Sequence, residues 1–214
     1  MQKTRIRNNK NKKVKSLIFL GSLFIIISIS MIFINKCIYS KNIKQEKEAI
    51  DNFYEQEEKV IIKPINEEIP KEEIKPVVAP PKPKVNYIGV LRIPKINLKQ
   101  GLVDRNSYLN NIKYNIMIHK DSSIPEEKNG NVILVAHSGT AYVSYFRKLN
   151  NVVLDDLIYL DCHGKTFTYK VTKKYEVNKT GVVEIHRNMN ASTITLITCK
   201  NNSNKQIVVI GEMI

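Results

Sequence analysis

Residues 193–199 read Thr-Ile-Thr-Leu-Ile-Thr-Cys. The alternation of threonine with branched aliphatics has the period of two that belongs to a strand with one buried face. It predicts a half-buried strand over residues 193–198, with Cys199 at its end. The next five residues, Lys200-Asn201-Asn202-Ser203-Asn204, are turn formers. A second apolar run at 207–210 follows as a buried strand. Working back along the chain, residues 157–160 and 166–171 flank Asp161-Cys162-His163-Gly164-Lys165 as a hairpin, with 174–177 extending its second arm. Residues 132–136, after Asn129-Gly130, form a continuous β-branched run that suits a buried strand. Residues 87–93 form another strand, bounded by Pro94. Only residues 142–149 and 108–112 have helical character. Many short strands separated by turns place the C-terminal part among all-β barrels and sandwiches.

The N-terminal part is of another kind. Residues 17–34 are eighteen residues without a charge. As a helix they span about 27 Å, enough to cross a hydrocarbon core of about 30 Å. Seven Lys and Arg precede them with no acid, and only Lys36 follows closely. This asymmetry predicts a cytoplasmic N-terminus and an extracellular remainder. The run is longer than a signal-peptide core and lacks a small-residue cleavage site, so an uncleaved anchor is expected. Lys36 before Cys37 argues against lipoprotein processing. Half of the net charge of +14 lies in residues 1–15, which makes it a topology signal and not a nucleic-acid footprint. Residues 35–84 read as a charged, Pro-rich stalk. Within it, 41–59 could form a short solvated helix, and 75–84 favour polyproline II.

Three cysteines in an exported chain exclude a disulfide scaffold and leave at least one free thiol. Cys199, at a strand end beside a polar loop and next to Lys200, is accessible, and the lysine would favour thiolate. His137 ends the 132–136 strand and precedes Ser138-Gly139-Thr140. A Cys and a His at two strand ends fit a nucleophile–base arrangement. The plain alternatives are an inert buried cysteine and a structural histidine. His119, His163 and His186 sit in loops or turns. Side chains of neighbouring strand residues point oppositely, which makes Cys162-His163 a turn and not a dyad. Asp155 and Asp156 are turn-like, leaving no clear acid partner. No Cys or His pair has metal-ligand spacing, so no metal and no cofactor is expected. Glu126 and Glu127 could bind calcium, though a solvated loop is the plainer reading.

The residues also resemble a known family. Residues 195–199, TLITC, are similar to the sortase signature TLxTC; 131–139, NVILVAHSG, resemble the segment carrying the sortase histidine; 87–98, YIGVLRIPKINL, resemble its opening strand. The three occur in the family's order over about residues 85–214. The resemblance implies a closed eight-stranded β-barrel with a few short helices, behind the transmembrane helix and stalk. The domains would then be a basic cytoplasmic segment (1–16), the anchor (17–34), the stalk (35–84) and the catalytic domain (85–214). The implied activity is transpeptidation. Cys199 attacks an LPxTG-like motif near the C-terminus of a surface protein. The thioacyl-enzyme then passes its acyl group to an amine of a peptidoglycan precursor or a pilin, with His137 as acid and base. Thr198 would help shape the groove. One departure stands out. Sortases place an Arg at or just before the final strand, where this chain has Asn204-Lys205-Gln206. Lys205 or Gln206 would have to stabilise the oxyanion or hold substrate, and only one can face the groove; Gln206, next to the apolar run, is favoured. A sortase-fold module that only binds sorting signals is the alternative. An unrelated thiol hydrolase is disfavoured, because neither a papain-type cysteine signature nor a Gly-Cys nucleophile is present.

Overall fold

The computed structural model describes residues 2–62 and 85–214, with side chains over 18–58 and 85–214. The chain divides into two units, Met1–Gln45 and Glu46–Ile214. The Pro-rich part of the expected stalk lies outside the described residues.

A single helix, α1 (Gln2–Ile62), runs through the N-terminal region. In the first unit its large apolar side chains, from Ile18 to Ile34, are exposed. It is long and apolar enough to cross a membrane.

The second unit is an eight-stranded barrel, as expected. Its strands are β1 (Tyr87–Ile93), β2 (Leu98–Val103), β3 (Met117–Ile118), β4 (Asn131–Val135), β5 (Leu157–Cys162), β6 (Lys165–Asn178), β7 (Thr193–Cys199) and β8 (Lys205–Met213). They are ordered β2-β1-β5-β6-β8-β7-β4-β3. Every neighbouring pair is antiparallel except β4 and β7. The seam between β2 and β3 is bridged by a side chain. The Asn115 amide accepts from Gln100 Nε2 at 3.1 Å and donates to the Gly101 carbonyl at 3.1 Å. Leu91, Ile93, Leu134, Leu160, Ile194, Leu196 and Val209 fill the interior, with Phe146 from the loop after β4.

Three expectations change. Strand β7 is buried on both faces, not half-buried. The Thr193 and Thr195 hydroxyls both donate to Asn131 Oδ1, and the Thr198 hydroxyl donates to the Ala136 carbonyl, so threonine serves an interior strand without unsatisfied oxygens. Residues 108–112 and 142–148 form turns instead of helices, with a single 3-10 turn at Leu149–Asn151. The helix expected to be solvated at 41–59 is docked in part: Ile50 and Phe53 are buried with Val90 of β1, with Tyr54 and Tyr87 packed beside them. Positions 50, 53 and 54 share one helical face. Truncating Phe53 to alanine should therefore lower the unfolding free energy of the full chain by about 3 kcal/mol. Denaturant titration followed by circular dichroism checks this.

Candidate active site

Strand β7 is hydrogen-bonded to β4 on one side and β8 on the other, and this placement assembles the site. On the β8 side Cys199 pairs directly with Gln206. On the β4 side the register runs Val135 to Ile197. It continues one residue further, since the Ala136 N–H donates to the Ile197 carbonyl at 3.2 Å and Thr198 Oγ1 donates to the Ala136 carbonyl at 2.7 Å. The next pair in register is His137 with Cys199. Residues opposite one another on adjacent strands project from the same face. With the β4 register carried two residues past its last pair, His137, Cys199 and Gln206 fall in one row. Two residues 62 apart in sequence are brought to the same level because β4 and β7 are parallel, with β7 running two residues beyond the last β4 pair, Val135 with Ile197.

Cys199 is partly exposed, whereas Cys162 is buried and Cys37 lies on α1 in the first unit. Burial, with the carboxylates of Glu126, Glu57 and Asp161 nearby, pushes the Cys162 thiol up to about 12. That environment suppresses thiolate, so Cys199 is the thiol suited to nucleophilic work. Beside it a cavity of about 130 Å³ is lined by Ser138, Phe146, Arg147 and Thr198 among others. The His137 carbonyl accepts from the Phe146 N–H at 3.0 Å. Ser138 Oγ donates to Asn201 Oδ1, tying the loop after the histidine to the loop after the cysteine. Arg147 donates to the carbonyls of Gly139, Thr140 and Ala141. The sequence reading missed this clamp, because only folding brings residue 147 back over 139–141.

The other expected residues divide. Gln206 is in the row; its Oε1 is buried without a hydrogen-bond partner. Lys205 points to the opposite face, with its ammonium 3.5 Å from Glu176. Lys200 was expected to favour the Cys199 thiolate. Instead its ammonium donates to Glu176 Oε1 at 2.6 Å, holding that carboxyl below the usual range. Thr198 is turned inward and binds β7 to β4, while also lining the small cavity. His119 and His186 lie beside Asp121 and Glu184. Among the described residues no carboxylate is paired with His137.

A sortase-domain family model matches residues 91–214. The chain belongs to the sortase family. It is accordingly a cysteine transpeptidase, and the solved structures it resembles agree with that fold. Sortase A from Corynebacterium diphtheriae, a lid mutant, superposes with a TM-score of 0.54 at 22% identity, covering 60% of this chain and 70% of that one. A Clostridium perfringens sortase C with the C-terminal cell wall sorting motif gives a TM-score of 0.53 at 24% identity, covering 61% of this chain and 71% of that one. Group B Streptococcus pilus island 1 sortase C2 gives 0.53 at 25% identity, covering 60% and 74%. A search of curated proteins found no match.

Proposed function

We propose that this sortase is anchored by residues 17–34 with its barrel outside the cell, and that it joins surface proteins bearing an LPxTG-like motif to an amine. The observation that carries the reading is the row His137, Cys199 and Gln206 across β4, β7 and β8. In the first half-reaction the Cys199 thiolate attacks the carbonyl before the last residue of the motif. The C–N bond breaks, and protonated His137 gives its proton to the departing amine. The remaining thioester holds the acyl group. In the second half-reaction an amine of a peptidoglycan precursor or a pilin attacks the thioester, His137 takes its proton, and the thiolate leaves. No step calls for a cofactor.

Gln206 takes the place of the family's arginine at the oxyanion. Its position opposite Cys199 on β8 would let its amide donate toward the row. A neutral amide stabilises less charge than a guanidinium but can still serve as an oxyanion donor. Lys205 is engaged with Glu176 on the other face. Gln206→Ala should lower the acylation rate by about 10²-fold, the scale of one lost oxyanion donor, while Lys205→Ala should change it by less than about threefold. The test incubates the full chain in detergent micelles with a panel of LPxTG-like peptides and follows the acyl adduct by intact-mass spectrometry. Adduct formation with one motif names the substrate. A folded protein that binds the peptides without forming an adduct would favour a module that only holds sorting signals.

A further inference from the structure

The barrel has a second chemically loaded place, at the end away from Cys199. A cavity of about 560 Å³ is lined by Leu102, Ile118, Val132 and Leu160 among others, with Cys162 and His163 in its wall. Val132 lies at the start of β4, whereas His137 follows that strand's far end. They are five positions apart along an extended stretch, about 17 Å. The second place is therefore not part of the row described above.

Three donors converge there. Cys162 ends β5, His163 is in the turn to β6, and Glu126 comes from the loop between β3 and β4. Their ligand atoms lie within 4.8 Å of one another, and His163 Nδ1 is 2.8 Å from Glu126 Oε1. Strand alternation would have sent Cys162 and His163 to opposite sides. His163 instead has φ 51, in the left-handed region, and this breaks the alternation.

We propose that Cys162, His163 and Glu126 form a binding site for a thiophilic divalent cation of the zinc class. A thiol, an imidazole and a carboxylate are the ligand types zinc accepts, and three protein ligands leave one position open to water. Donor atoms around a tetrahedral zinc stand roughly 3.3–3.8 Å apart, given bonds of about 2.0–2.3 Å. The observed cluster reaches that spacing by small side-chain adjustments. Calcium and magnesium prefer all-oxygen sets, so the thiol and imidazole select against them. The ion would fasten the β3–β4 loop to the β5–β6 turn, apart from the transpeptidation chemistry. Cys162 is buried and supplies the fixed ligand, while Glu126 and His163 are exposed and can close on the ion.

The test uses the full chain in detergent micelles carrying Cys37→Ser and Cys199→Ala, so that Cys162 is the sole thiol. Cobalt(II) is titrated and the thiolate-to-cobalt charge-transfer absorption followed. Zinc is then added to displace it. The expected result is a band saturating at about one equivalent and bleached by zinc. Affinity should fall at least about tenfold in Glu126→Gln and in His163→Ala. Zinc should also raise the melting temperature of the parent and not of the double variant Glu126→Gln/His163→Ala. Both variants alter exposed side chains, so the barrel is retained. Absence of the band, or a band of unchanged affinity in the two variants, overturns the proposal and leaves an ordinary ion pair between Glu126 and His163.

Discussion

Cys199→Ala is expected to abolish acyl-adduct formation and to reduce transpeptidation by about 10⁴-fold or more, the scale on which loss of a covalent nucleophile is felt. The effect is large because no neighbour can substitute. Cys162 is buried with a thiol pushed up to about 12, and Cys37 is on α1, in the first unit. Cys37→Ser should leave the rate unchanged. Intact-mass spectrometry with a sorting-motif peptide reads both variants. A Cys199→Ala protein that still becomes acylated would place the nucleophile elsewhere and remove the basis of the proposed mechanism. The same variant should retain the native circular dichroism, since Cys199 is partly exposed and bears no packing role in the interior.

A large effect on stability is also expected at Asp161. Its carboxylate accepts two hydrogen bonds from Arg92, at 2.6 and 2.8 Å, and one each from Tyr54 of α1 and Thr166 of β6. One side chain thus joins β1, β5, β6 and the docked part of the helix. Burial by itself would raise its pKa, but the bonds from Arg92, Tyr54 and Thr166 outweigh it and hold the carboxyl below the usual range. Asp161→Ala leaves the Arg92 guanidinium and the Tyr54 hydroxyl without their acceptor. Because the Arg92 side chain is 34% exposed, water recovers part of the loss, and the expected cost is about 2–3 kcal/mol. That corresponds to a fall in melting temperature of roughly 4–12 °C for a unit of this size.

The pH dependence follows from the direction of the shift. A carboxyl with a lowered folded-state pKa contributes stability that is fully present above its unfolded value, about 3.9. The contribution is lost as pH falls through the folded value. The wild-type protein should therefore lose more stability than Asp161→Ala on acidification from pH 5 downward. Parallel acid-unfolding curves that stay the same distance apart would contradict the assignment.

Much of the barrel was legible because strand burial leaves a period-two or continuous apolar mark. The runs at 87–93, 157–160, 166–171, 193–198 and 207–210 fall within strands, and 132–136 does so up to Val135, with Ala136 just past the end of β4. Strand β3 was not seen, since two residues, Met117–Ile118, carry no periodicity. Strand β2 contains Lys99, Gln100 and Gly101, too polar a centre for its pattern to stand out. The docked face of α1 was hidden by composition: Ile50, Phe53 and Tyr54 sit among glutamates and lysines, and spacing was the only signal.

The sequence by itself singled out the residues proposed to carry the chemistry: a cysteine at one strand end, a histidine just past another, and a glutamine where the family has an arginine. These are local facts, set by residue type and by where an apolar run stops. Only the tertiary structure decided how they meet. The parallel pairing of β4 with β7 carries His137 to Cys199, and the antiparallel pairing of β7 with β8 brings Gln206 opposite and turns Lys205 away. It also took Lys200 from the thiol to Glu176, and set Glu126 beside Cys162 and His163. Register between strands is fixed by the packing of whole faces, and a local window of sequence contains only one side of each pair.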